Sequence, residues 1–141
     1  MIFLHYLSPT GQQLIQDLIS AKFHIHENVE FCRKSNLFGY VDFPKKFVIC
    51  TNNIKKSGFD PNYYVEETVY HEATHAAQIC KSNQNLGLSA KNMPLPSNKI
   101  QDIKNALKAS GGRGSRMKEH EAFWLEDKPQ QVRYYVKKFC F

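Results

Sequence analysis

Three side chains in the run His71-Glu72-Ala73-Thr74-His75 have the types and spacing to do chemistry together. On a helix, positions four apart lie about 40° apart around the axis and one turn apart along it, so His71 and His75 project side by side and can share one tetrahedral zinc. Glu72 lies about 100° further round, beside the pair, where a carboxylate can take a proton from a water held at a metal. The chemistry implied is hydrolysis, with zinc as the cofactor and Glu72 as the general base. Two metal ligands are in hand, and a catalytic zinc ordinarily takes three from the protein.

The third must come from elsewhere. An extended HExxH motif would place Gly at position 78 and His at 81, and this chain has Gln78 and Lys81. The next histidine, His120, is too distant in sequence for the short-spaced alternatives. A glutamate on a later helix remains, and Glu119-His120-Glu121-Ala122 offers two, with His120 between them.

Together, His71-Glu72-Ala73-Thr74-His75 and Glu119-His120-Glu121-Ala122 resemble the HExxH plus ExxA arrangement of small single-domain gluzincin metallopeptidases. With the expected order of helix, three strands and active-site helix, the resemblance covers most of the chain. It implies a zincin-like fold, zinc-dependent peptide hydrolysis, and Glu119 as third ligand beside His71 and His75, with Glu121 the rival and His120 ranking third. Glu119 and Ala122 share a helix face, and a small side chain there lets two helices approach. The chain departs from the pattern at Phe123, where many gluzincins carry an Asp or Asn that supports a zinc-binding histidine. Glu126, one turn further on the same face, is the candidate for that role.

The elements that must position these residues can be read in outline. Asp60-Pro61 is a strong helix start, an N-capping acid followed by proline at the first helical position. On the helix that follows, Val65, Val69, Ala73, Ala76 and Cys80 form one stripe, with Tyr64, His71, His75 and Gln78 nearly opposite. Upstream, Ser8-Pro9 begins a packing helix with Leu14, Ile15, Leu18 and Ile19 on one face, its regular part expected from Gln12 because Gly11 weakens the first turn. Residues 24–32 alternate like a half-buried strand, 33–36 are turn chemistry and 37–43 return as a second strand, which predicts a hairpin. Residues 47–50 are a short apolar third strand, available to hold an extended peptide by edge pairing. His24 and His26 share a strand face, but nothing near them completes a metal site.

Residues 51–59 read as a polar loop and 83–97 as a long irregular connection. A short amphipathic helix around Ile100, Ile103, Ala106 and Leu107 is expected to stop at Gly111-Gly112. Gly114-Ser115 opens the helix of Glu119, expected over residues 116–127. Pro129 begins the last, with Val132, Tyr135, Val136 and Phe139 on its apolar face.

The expected fold class is therefore α+β: one zincin-like domain over residues 1–141, with an N-terminal helix, a small three-stranded antiparallel sheet, the HExxH helix and C-terminal helices. The length allows one real hydrophobic core and is short for two domains. No apolar run approaches a membrane span and the N-terminus lacks a charged leader, so a soluble, cytoplasmic chain is expected. In that compartment Cys32, Cys50, Cys80 and Cys140, scattered and without a CxxC pair, are expected to be reduced thiols.

The partner expected is a peptide or protein substrate, with Tyr134, Tyr135 or His120 as candidates to stabilise the oxyanion. The net charge of +6 is spread along the chain without interleaved aromatics, so no motif supports a nucleic-acid partner. The alternative reading keeps the fold and drops the chemistry: a basic, non-catalytic binding protein for nucleic acid or protein.

Overall fold

In the computed structural model, which describes residues 1–109 and 115–141, a 3-10 turn (Ile2–Tyr6) leads into α1 (Pro9–Ser20), β1 (His24–Glu27), α2 (Glu30–Arg33), β2 (Gly39–Asp42), β3 (Lys46–Ile49) and α3 (Thr51–Lys56). Then come α4 (Pro61–Cys80), α5 (Ser97–Ala109), α6 (Arg116–Leu125) and α7 (Pro129–Cys140). The architecture is α+β, with α4 packed against β2 and β3 of the sheet and against α1, α3, α6 and α7, while α5 packs on α6.

α4 is the element against which most others pack: α7, α6, α1, α3 and both β2 and β3 touch it. Its start is the expected one, with Asp60 Oδ1 accepting the Asn62 N–H at 3.0 Å and Pro61 at the first position. Val65, Val69, Ala73 and Ala76 are fully buried, forming a stripe with the core residues Leu14, Leu18, Val132 and Val136 of α1 and α7. Two small alanines in that stripe let helices close on α4.

α1 begins at Pro9, capped by Ser8, so Gly11 lies inside its first turn. A side chain there would place Cβ 2.9 Å from Glu66 Oε1 on α4, the same oxygen that accepts the Ser8 N–H. Gly11 is thus a close-approach residue. Ile19, expected on the buried face, is largely exposed.

The sheet differs from the expected antiparallel one. Its order is β1-β3-β2, with β1 parallel and β2 antiparallel to β3, so it is mixed and the central strand is β3. The hairpin expected between residues 24–32 and 37–43 does not form. β1 ends at Glu27 because Asn28 turns into the left-handed region (φ 53°), a conformation asparagine tolerates, and Glu30–Arg33 coil into α2. The alternation that reads as strand in residues 29–32 is one short helical turn with Cys32 inside.

Residues 51–56, expected as loop, are α3. Its polar composition hides a tertiary function: Thr51 and Ile54 are fully buried, and the Asn53 amide contacts the carbonyls of Cys32, Ser35 and Leu37. A helix this short is held by such packing and not by propensity.

The expectation of reduced cysteines is overturned. Cys32 is bonded to Cys50 and Cys80 to Cys140, at sequence separations of 18 and 60 residues. Scattered spacing carries no information on spatial pairing: one bridge ties α2 to the end of β3, the other joins the last residues of α4 and α7. No described helix is long and apolar enough to cross a membrane. Residues 81–96 form the expected irregular connection, broken by a 3-10 turn at Ala90–Asn92. α6 is capped by Ser115 and stops at Leu125, two residues before the expected end, while Gly111, Gly112 and Gly114 lie outside the described residues.

Candidate metal centre

His71 and His75 stand on successive turns of α4, their ring centroids 5.1 Å apart. α6 crosses above them and brings in Glu119, with Oε2 at 3.0 Å from His75 Nε2 and Oε1 at 3.7 Å from His71 Nε2. One donor atom from each of the three can be chosen so that all lie within 4.8 Å of one another. Donors bonded to a tetrahedral zinc at about 2.0–2.1 Å stand about 3.3 Å apart, so two nitrogens and a carboxylate oxygen in this arrangement fit such an ion with small adjustments.

The far nitrogen of each ring is already engaged. His71 Nδ1 lies 2.8 Å from Glu126 Oε1, and His75 Nδ1 lies 2.7 Å from Gln78 Oε1. Gln78 is fixed in turn: its Nε2 donates to the Lys118 carbonyl and to Glu121 Oε1, both at 2.9 Å. The amide oxygen must therefore face His75, which makes Nδ1 the donor and leaves the Nε2 lone pair for a metal. Glu126 acts likewise on His71. Lys99 of α5 stands 3.5 Å from Glu126 Oε2, and Glu67 of α4, half-buried, interacts with the same carboxylate. Burial and the charge of Glu126 push the Glu67 carboxyl up to about 7.

Phe123, the position at which the chain departs from the expected pattern, packs edge-on against His71 with ring centroids 4.5 Å apart. The structure puts Glu126 in contact with the histidine from the next turn of the chain. The rival candidates face elsewhere. Glu121 is fully buried and accepts the backbone N–H groups of Leu86 and Leu88, so it ties the 81–96 connection to α6. His120 Nε2 meets the Met93 carbonyl at 2.7 Å, fastening the same segment. Neither joins His71 and His75.

Without a metal, the three groups bind one another. Burial alone would lower the His71 pKa, but the bonds to Glu119 and Glu126 reverse it and raise it to about 10. His75 is raised for the same reason, mainly by Glu119. Burial alone would raise the Glu119 carboxyl, and the two histidines hold it well below the usual carboxylate range.

Glu72 is nearly buried beside the pair, and burial raises its pKa, partly offset by the two imidazoles. All four residues line one open cleft of about 920 Å³, walled by β2 on one side and by α5 and the start of α6 on the other. A Cβ at Gly39 would lie 2.8 Å from the Val48 carbonyl oxygen, 3.0 Å from Thr68 Cγ2 and 3.3 Å from Glu72 Cγ. Glycine therefore lets β2 press onto α4 beside Glu72.

The strand at the cleft is β2, and β3, expected there, is enclosed between its two neighbours. The Cys50 N–H donates to the Phe38 carbonyl at 2.7 Å, so Phe38 and Cys50 are a bonded pair. Bonded and non-bonded pairs alternate in an antiparallel ladder, which leaves the N–H and C=O of Gly39 and Val41 on the outer edge. The expected oxyanion candidates are displaced: Tyr134 is exposed on α7, Tyr135 packs against the core, and His120 is bound to Met93. Sequence reading places Gln78 on the histidine face without giving it a role, and it misses Lys99, which is 27 positions from the Glu126 it braces.

These features define a small α+β protein with a candidate His71/His75/Glu119 metal centre at the floor of a cleft. The chain belongs to the family described as Domain of unknown function (DUF8637), which matches residues 3–141. No curated protein and no solved structure matches it.

Proposed function

We propose that the protein is a zinc-dependent metallopeptidase of gluzincin type with a zincin-like fold. The observation that carries the reading is the convergence of His71, His75 and Glu119, with both imidazole Nδ1 atoms engaged so that the Nε2 atoms face the carboxylate. A surface pair of histidines beside an acid has no need of such buried supports.

His71, His75 and Glu119 hold the ion. When bound, zinc lowers the pKa of a water and polarises a peptide carbonyl. Glu72, nearly buried and adjacent to both histidines, is the carboxylate that would take a proton from such a water and return it to the leaving amine. The outer edge of β2 pairs with the substrate backbone, aligning an extended peptide along the cleft. The two disulfides favour an oxidising compartment over the cytoplasm for this activity.

The test is peptide cleavage by the zinc-loaded protein and by Glu72→Gln, read by mass spectrometry. The proposal predicts cleavage by the first and at least a hundredfold less by the second. Equal rates would remove Glu72 from the mechanism.

A further inference from the structure

Phe31 is a large apolar side chain left half in solvent, with 52% of its surface exposed, at the wall of the cleft. The backbone beside it is tied down. The next residue, Cys32, is bridged to Cys50, and the Asn53 amide holds the carbonyls of Cys32, Ser35 and Leu37. The ring stands edge-on to Tyr40 of β2, with centroids 5.4 Å apart and planes at 81°. Phe43, 71% exposed, continues the apolar wall past the end of β2. Ordered aromatic surface of this kind, beside a cleft, marks a place where something binds.

The register of β2 says what. Gly39 faces α4 and Glu72, so Tyr40, the next residue, faces the other side of the sheet, where it packs near Cys32 and Val48. A peptide paired to the outer edge through Gly39 and Val41 directs its side chains alternately to those two faces. One set passes Glu72 and the metal centre. The other passes the Phe31–Tyr40 pair. We infer that Phe31, backed by Tyr40, is a specificity-determining residue of the cleft, and that the substrate is an extended peptide carrying a large apolar side chain, aromatic by preference, where it passes this pair. The inference rests on the peptidase reading of the same cleft.

The test is the cleavage profile of a synthetic library of blocked decapeptides with the zinc-loaded full chain, sites being read by mass spectrometry. Wild type should show Phe, Tyr, Trp and Leu enriched about tenfold over Ala at one position fixed relative to the cut bond. Phe31→Ala should abolish most of that enrichment while cleavage continues, and Phe31→Leu should keep it for Leu and Phe. Phe31→Glu should shift the preference at that position to Lys and Arg, a change that a folding defect does not produce. Cleavage with no apolar preference, or with the same preference in Phe31→Ala, overturns this inference and leaves the peptidase reading standing. Absence of zinc-dependent cleavage by wild type overturns both.

Discussion

Glu126 Oε1 lies 2.8 Å from His71 Nδ1 although the two residues are 55 positions apart, one near the end of α6 and the other in the middle of α4. The contact is partly buried and is itself braced by Lys99 at 3.5 Å from the other carboxylate oxygen. A carboxylate in this place holds the imidazole in one tautomer, turns Nε2 toward Glu119 and raises the basicity of the donor nitrogen.

Removing it should therefore weaken the metal site without emptying it. Glu126→Ala is expected to lower zinc affinity about 10- to 100-fold, measured by competition with a coloured chelator. Unchanged affinity would show that Glu126 serves packing alone.

Metal binding should also be linked to protons. In the metal-free protein His71 is held up to about 10 and is charged near neutral pH, and Glu119 raises His75 in the same direction, whereas zinc takes neutral imidazole. Binding at pH 7 must expel protons, and apparent affinity should rise as pH increases from about 7 towards 10. Calorimetry in buffers of different ionisation enthalpy measures the release. Affinity that is flat over this range would contradict the site.

Gly39→Ala tests the seat of the edge strand. The added methyl would meet the Val48 carbonyl oxygen at 2.8 Å, which is backbone and cannot swing aside. We expect a loss of about 1–3 kcal/mol in urea unfolding, as for other overpacked positions. Peptide cleavage should fall further than zinc binding, since β2 moves relative to Glu72. A neutral substitution would mean that β2 has room to retreat.

Much of the candidate site was legible because it depends on local rules. Asp60-Pro61 starts α4, helical spacing puts His71 beside His75, and Glu126 follows Glu119 by two turns on one face of the chain leaving α6. Choosing Glu119 over Glu121 from sequence rests on spacing, helix face and resemblance. The structure separates them physically, by the backbone N–H groups of Leu86 and Leu88 that claim Glu121. What was not legible is non-local. Parallel pairing of β1 with β3 skips the intervening strand, and nothing in residues 24–27 encodes which neighbour they meet. α3 looks like a loop because its apolar content is one isoleucine, and its order comes from Asn53 and Thr51 satisfying distant groups. The disulfides are not legible either, because the pairing of Cys32 with Cys50 and of Cys80 with Cys140 depends on spatial geometry that cysteine spacing does not carry.

The proposed function stands on His71, His75 and Glu119 together holding zinc. Anomalous diffraction at the zinc edge from crystals grown with zinc tests it most directly. One strong peak is expected, bonded to His71 Nε2, His75 Nε2 and a Glu119 carboxylate oxygen at about 2.0–2.2 Å. No peak between α4 and α6, or one bonded to Glu121 or His120 in place of Glu119, would contradict it.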